Sequence, residues 1–376
     1  MADKLQRELS NRHIQLIAIG GAIGTGLFLG AGASIHLAGP SILLTYIIVG
    51  FILFMFMRAM GELLLSNLGF KSFGDIAHHH IGSMAGFMVG WTYWLTWIIS
   101  GMAEVTAVAK YVDFWYPDMP NWITAAATIL VLVALNLFSA KLFGELEFWL
   151  SIIKVITILA LIIVGIVMVI FAMKTDYGPA TVTNIWKEGG FFPNGASGFF
   201  MSFQMALFSF VGIEMIGVTA GETKDPEKTI PKAINSVPIR ILIFYVGALA
   251  VIMSIIPWDK VDPDNSPFVK LFTLIGIPFA AGLINFVVLT AAMSGCNSGI
   301  FSTSRMLYTL SKQKQISQIF YRTNKNGVPH IAVIAVSIGI FFGIVLDIVL
   351  PLLLGKDTNI FVYVFSAGVL PGMVPW

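Results

Sequence analysis

The stretch Gly20-Gly21-Ala22-Ile23-Gly24-Thr25-Gly26 interrupts an apolar run near the start of the chain, and Phe208-Ser209-Phe210-Val211-Gly212-Ile213-Glu214 interrupts another far downstream. A helix that opens in mid-bilayer leaves N–H and C=O groups that hydrocarbon cannot satisfy, so such breaks persist only where they line a cavity. Two breaks at corresponding places in two halves of a membrane protein point to a small-molecule transport site.

The membrane setting follows from composition. Of 376 residues, 57% are hydrophobic and 11% charged, with a mean hydropathy of +0.86. That much apolar surface exceeds what a soluble core can hide. Stretches long enough to cross a bilayer run at about 14–36, 40–57, 84–111, 122–140, 146–173, 198–220, 236–257, 274–303, 330–350 and 359–376, which predicts an all-α integral membrane fold of about ten helices. Five spans lie on each side of a polar connector, and an odd number per half turns the halves upside down relative to each other. The expectation is one transport domain, 1–376, built from inverted repeats at about 14–173 and 198–376, each opening on a broken helix.

Several classes are set aside. The first apolar segment is too long for a signal peptide and lacks a small-residue cleavage site. Cys296 is the only cysteine, so neither a disulfide framework nor a thiolate metal cage is expected. The glycine-rich stretch lacks the Gly-Lys-Ser/Thr ending and strand-turn-helix context of a phosphate loop. His78-His79-His80 diverge by about 100° per residue on a helix and do not converge on a metal. No span carries a clustered nucleophile, base or ligand set, so an enzyme, a cofactor and a nucleic-acid partner are not expected. With the N-terminus in the cytoplasm, 15 Lys/Arg fall on the inner side and 6 on the outer, which favours that orientation. The chain ends at Trp376, in or at the end of its tenth span, with no polar segment following, as a truncated product would.

In the first break the amides of Ala22, Ile23, Gly24, Thr25 and Gly26 would face the cavity as a half-helix N-terminus, whose partial positive charge suits a carboxylate. The plain alternative is close helix packing, since Gly20/Gly24 and Gly26/Gly30 have small-xxx-small spacing. The density of glycine between 20 and 32 favours binding. In the second break, Phe208, Ser209, Phe210, Val211 and Gly212 would offer carbonyls to an ammonium while the Phe208 and Phe210 rings cover the ligand; here the alternative is a kink with core phenylalanines. Donors at one break and acceptors at the other read a zwitterion, so an amino acid is the expected substrate.

Ionisable residues inside spans cost about 2.5–3.5 kcal/mol each at the bilayer centre and are functional candidates for that reason. They are Glu104, Lys154 and Glu214. Lys154 sits among apolar neighbours that disfavour its charged form, so it either couples a proton to transport or forms a static pair with Glu104 or Glu214. Glu104 relays a proton or pairs with Lys110 or Lys154. Glu214 serves the cavity or caps the unwound turn. Arg58 and Glu62 have the spacing of a surface ion pair. Asn285, Ser294 and Asn297 face the cavity or bond a neighbouring helix. The segment from Gly221 to Ile234 reads as an ordered loop plus a short helix at an intracellular gate.

A wider set of motifs carries a family resemblance. It comprises Leu9-Ser10-Asn11-Arg12-His13-Ile14-Gln15-Leu16-Ile17-Ala18-Ile19-Gly20-Gly21 with Ile23 to Phe28, Arg58-Ala59-Met60-Gly61-Glu62-Leu63, Gly90-Trp91-Thr92-Tyr93-Trp94, Phe210 to Glu214, Gly221 to Ile234, and Phe301-Ser302-Thr303-Ser304-Arg305-Met306. Over nearly its whole length the chain resembles bacterial amino acid permeases of the amino acid/polyamine/organocation superfamily, and within them the branch that carries D-serine, D-alanine and glycine. The resemblance implies a five-plus-five core with broken first and sixth spans, in the bacterial cytoplasmic membrane. It also implies uptake of small neutral amino acids by alternating access, driven by protons. It puts the carboxylate on Ile23 to Gly26 and the amine on Phe208 to Val211. Lys154 takes the place where sodium-coupled relatives bind their ion, and Glu104 matches the family's acidic residue of the third span. Members usually have twelve spans, and the last two are missing here. The alternatives are a permease for another neutral amino acid (threonine, proline, branched-chain or aromatic), or an inactive permease or membrane sensor. Oligomeric state is not readable.

Overall fold

The computed structural model describes residues 9–21, 23–70, 72–263, 265–274, 278–354, 364 and 367–374. Nearly all of it is helix. The first span is composite: α1 (Asn11–Gly20), a non-helical gap, α2 (Thr25–Phe28) and α3 (Gly30–Ala38). Gly39 ends it at φ +57°, a conformation that glycine adopts without the cost of a Cβ. Five unbroken helices or helical segments follow: α4 (Ile42–Ser66), the short amphipathic α5 (Phe73–His80), α6 (Ser83–Val112), α7 (Asn121–Phe138) and α8 (Ala140–Ile170).

The connector between the halves forms a two-residue hairpin, β1 (Lys174–Thr175) against β2 (Gly178–Pro179). The sixth span is broken in turn: α9 (Gly195–Ser209), an unwound stretch, and α10 (Met215–Thr219). Next come α11 (Pro226–Asn235) and a seventh span made of α12 (Val237–Arg240), a π turn (Ile241–Gly247) and α13 (Ala248–Ile255). The chain continues with α14 (Pro267–Leu274), α15 (Pro278–Lys312), α16 (His330–Leu354) and α17 (Val369–Met373). The expected tenth span, 359–376, falls mostly outside the described residues.

By length and hydropathy, Gly30–Ser66, Asn121–Phe138, Ala140–Ile170, Pro226–Ile255 and Gly282–Lys312 each suffice to cross a bilayer. α6 falls short of that hydropathy because Gly, Ser, Thr, Trp and Tyr alternate with its apolar residues, and the sixth span because it is divided into short pieces.

The burial pattern is that of a protein in lipid. On α8, Glu147, Ser151 and Lys154 are 0% exposed, while Ile156, Ile163 and Ile170 are 60%, 61% and 70% exposed. Polar groups face inward and apolar ones outward, the reverse of a soluble helix. Helices approach through glycines: a Cβ on Gly101 would lie 2.6 Å from Ile340, and one on Gly299 would lie 2.8 Å from Trp97. Lipid tails are as apolar as leucine, so close packing of this kind is a principal source of helix association.

Candidate functional site

The two breaks face each other at the centre of the molecule. α1 ends at Gly20 and Gly21, whose N–H donates to Ile17 O at 2.7 Å, and helix resumes only at Thr25 with extended Gly24 before it. The glycines of this break divide by surroundings. A Cβ on Gly20 would fall 1.8 Å from Ser151 Oγ, and one on Gly26 would fall 2.7 Å from Ser209 Cα, so both serve close packing. Gly24 would meet only Glu104 Oε1, at 3.3 Å. Gly24 is the glycine of this break that faces a polar side chain across open space. Ala22, also expected at the site, lies outside the described residues.

Glu104 occupies the position where a carboxylate was expected. Its side chain, 6% exposed, lies beside Thr25, the first residue of α2, whose hydroxyl is likewise buried without a hydrogen bond among the described residues. Glu104 Oε2 is buried without a hydrogen bond among the described residues. An anion at a helix N-terminus is stabilised by the unpaired amides there. Gly21, Gly24, Gly26, Glu104, Phe208, Ser209 and Val211 line a common cavity with Trp97, Ser100 and Gly295. Its volume is about 10 Å³, roughly the space one water needs. The centre is therefore closed around Glu104.

At the other end of the break, Lys154 Nζ donates to Gly20 O at 2.7 Å and to Ser294 Oγ at 2.8 Å. The ammonium thus sits on the terminal carbonyl of α1, at the negative end of that helix. Among the described residues Lys154 forms no ion pair with Glu104 or Glu214. Its chain of contacts runs instead through Ser294, whose hydroxyl donates to Glu147 Oε2 at 2.6 Å. Asn297 Nδ2 donates to Glu147 Oε1 at 2.9 Å, and Asn136 Nδ2 to Asn297 Oδ1 at 2.7 Å. Sequence reasoning missed Glu147, although it stands seven residues before Lys154 on one helix face. Ser294 and Asn297 bond this network across helices, and Asn285 bonds Tyr111 O at 2.7 Å.

The second break is more fully bonded. Phe210 N donates to Leu207 O, Val211 N to Phe208 O, and Ile213 N to Phe210 O. Gly212 has φ +109°, and its N–H donates to Glu214 Oε2 at 3.0 Å, so Glu214 caps the unwound turn. Ser209 joins three elements. Its hydroxyl donates to Gly26 O (3.0 Å) or Met205 O (2.9 Å), lies 3.0 Å from Tyr46 Oη, and its carbonyl accepts from Tyr245 Oη at 2.9 Å. Phe208 lines the cavity, whereas Phe210 turns away and packs on Tyr46 and Tyr245, with ring centroids 5.6 and 4.6 Å apart. Ile23 lies with Phe210 on that apolar side.

The end of the molecule that holds Leu9 is closely bonded. Leu9 N donates to Glu222 O at 3.0 Å, and Lys224 N donates to Leu9 O at 2.8 Å. Arg305 Nε pairs with Glu222 Oε1 at 3.1 Å, buried, with its guanidinium 3.6 Å from the Phe301 ring centroid. Arg12 and His13 both reach Glu145. Arg58 and Glu62 form an exposed pair at 3.6 Å.

Two opposed helix breaks with intramembrane charges at each are the architecture of a transporter, and the family follows from the whole chain. Residues 13–369 match the amino acid permease family. The chain belongs to that family. It is 54% identical over 357 residues to the D-serine/D-alanine/glycine transporter of Escherichia coli (strain K12), covering 95% of this chain and 76% of that one. It is 52% identical over 372 residues to the amino-acid permease AapA of Bacillus subtilis (strain 168), covering 98% and 80%. Against the probable threonine/serine transporter YbxG of the same organism it is 49% identical over 377 residues, covering 100% and 80%.

The same fold is found in a Na+-coupled sialic acid symporter, with TM-score 0.64 at 12% identity, covering 97% of this chain and 79% of that one. It is found again in MhsT in complex with L-phenylalanine, with TM-score 0.63 at 15% identity, covering 98% and 89%. This permease is an all-α integral membrane transporter and not an enzyme.

Proposed function

We propose that this permease is a proton-coupled symporter that imports small neutral amino acids of the glycine, D-alanine and D-serine class by alternating access. The observation that carries the reading is Glu104, a buried carboxylate at the N-terminus of α2 inside a cavity closed by both breaks. A substrate carboxylate competes for the same amides. Protonation of Glu104 releases them to the substrate, and the substrate ammonium is received by carbonyls of the second break between Phe208 and Val211. Lys154 senses the same event from Gly20 O, because movement of α1 breaks or makes that bond. Glu214 keeps the second break in register.

The working unit is the pair of inverted repeats, about 14–173 and 198–376, in the bacterial cytoplasmic membrane with the N-terminus inside. Small substrates fit the setting: Gly24 and Gly295 flank Glu104, and Trp97 and Phe208 bound the space. The name of the 49% identical relative supports a second reading, in which threonine or serine is the substrate.

Proteoliposomes carrying the chain, supplied with radiolabelled D- and L-amino acids, test the proposal. Accumulation of glycine, D-alanine or D-serine under an inward proton gradient, and its collapse with a protonophore, are expected. Accumulation of threonine alone selects the second reading. Dependence on sodium with indifference to pH would sink the coupling.

A further inference from the structure

Glu147 is a buried carboxylate that the amino-acid site leaves without a task. It stands seven residues before Lys154 on α8, on the same face and about 10 Å nearer the end of the molecule that holds Leu9, where Glu145 meets Arg12 and His13. Both of its oxygens accept from neutral donors of α15, Oε2 from the Ser294 hydroxyl and Oε1 from Asn297 Nδ2. Among the described residues it has no ion-pair partner at contact distance. The charged groups around it are few. Lys154 is on its own helix, and Glu104 acts on Lys154 from α6. α1 turns Arg12 and His13 to Glu145, and Arg305 of α15 is engaged by Glu222. α7 presents the neutral Asn136, and the π turn and α13 carry no charged residue.

The Ser294 hydroxyl joins the two charges in one direction. An ammonium only donates and a carboxylate only accepts, so the partners fix where the hydroxyl hydrogen points. The Ser294 oxygen accepts from Lys154 Nζ at 2.8 Å and its hydrogen is given to Glu147 Oε2 at 2.6 Å. All three residues are fully buried. Opposite charges buried for cohesion alone gain most from direct contact, whereas a hydroxyl between them is an arrangement that passes a proton. Toward the Leu9 end the line is stopped. Phe143, four residues before Glu147, stacks on Phe301, four beyond Asn297, with ring centroids 3.7 Å apart and planes 10° from parallel. The Arg305–Glu222 pair forms the next layer. The chain of hydrogen bonds therefore leads from the first break toward the Leu9 end and halts behind two rings too close to admit water.

We infer that Glu147 receives the coupling proton from Lys154, through the Ser294 hydroxyl, on its way to the cytoplasmic side. An N–H bond of the Lys154 ammonium breaks as its proton goes to Ser294 Oγ, and the O–H bond of Ser294 breaks as that proton goes to Glu147 Oε2. Lysine becomes an amine, glutamate a carboxylic acid, and serine is again a hydroxyl, so no further reactant is needed. The proton leaves Glu147 for water once the Leu9 end opens. This inference rests on the proton-coupled reading proposed above, with the N-terminus inside.

Proteoliposomes of the full chain with pyranine entrapped, supplied with tritiated glycine or threonine, read the protons carried per amino acid. The unaltered chain should give a fixed ratio. Glu147→Gln and Ser294→Ala should each lower that ratio at least about tenfold, with counterflow exchange of the amino acid still measurable. Asn297→Ala removes a hydrogen bond from the same carboxylate but lies off the path, so it should keep the ratio of the unaltered chain whatever it does to the rate. A Glu147 that only holds helices together would slow protons and amino acid alike; an unchanged ratio in Glu147→Gln and Ser294→Ala would overturn the relay and leave the coupling standing. A ratio in Asn297→Ala as low as in Ser294→Ala would overturn the path through Ser294. Should Glu147→Gln yield no monodisperse protein, Ser294→Ala against Asn297→Ala decides by the same ratio. No proton movement with either amino acid in the unaltered chain would overturn the coupling itself, and the relay with it.

Discussion

The two helix breaks look alike in sequence and differ in how they are held. At the first, the partners are charged side chains from other helices: the Glu104 carboxylate at the N-terminus of α2 and the Lys154 ammonium on Gly20 O. At the second, the partners are neutral or local: Tyr245 on Ser209 O, Tyr46 and Gly26 around the Ser209 hydroxyl, and Glu214 folded back on Gly212. Charged partners can be switched by a proton, whereas hydroxyl-to-carbonyl bonds carry no group that titrates near neutral pH. The first break is accordingly the one whose partners carry charge, and the second the one held mainly by neutral and local bonds.

The sharpest way to break this contrast is Gly24→Val. It adds bulk where only Glu104 faces, and uptake should fall by more than about 100-fold with the thermal unfolding temperature nearly kept. Normal uptake would remove the carboxylate from the first break. Next is Lys154→Ala, which should abolish accumulation driven by a proton gradient yet leave counterflow exchange of substrate measurable; undiminished accumulation takes Lys154 out of coupling.

The second break should respond in stability rather than in transport. Gly212→Ala forces a Cβ into φ +109° and should cost about 1–3 kcal/mol, read as a lower unfolding temperature in detergent. The smallest effect belongs to Tyr245→Phe, which removes one neutral hydrogen bond worth about 0.5–1.5 kcal/mol and should leave the coupling ratio untouched. If Tyr245→Phe uncoupled transport from protons while Lys154→Ala did not, the roles of the two breaks would be exchanged.

Much of this organisation is legible in the sequence, because a membrane punishes unpaired backbone and lone charges severely enough to leave marks. The broken spans, the family motifs and the inward place of Glu104, Lys154 and Glu214 are of that kind. What escaped is pairing. A static pair of Lys154 with Glu104 or Glu214 was one of the two readings open in the sequence; in the structure it bonds Gly20 O and reaches Glu147 through Ser294, because the rotation of α8 against α1 and α15 sets the partner. Gly20 and Gly26 sit on packing seams and Gly24 faces the carboxylate, a distinction that identical residue types cannot encode. The aromatic pair Phe208 and Phe210 splits to opposite sides, as residues two apart on a helical turn do.

Ser209 has a mechanical consequence. One residue is tied to Gly26 on the opposing broken helix, to Tyr46 on α4 and to Tyr245 in the π turn after α12. A pin through four segments resists sliding of any one of them past the others. In the alternating-access cycle proposed above, these segments would turn as a single block. The stroke of the machine is then borne at the block's edges, where Glu104 and Lys154 reach across from α6 and α8.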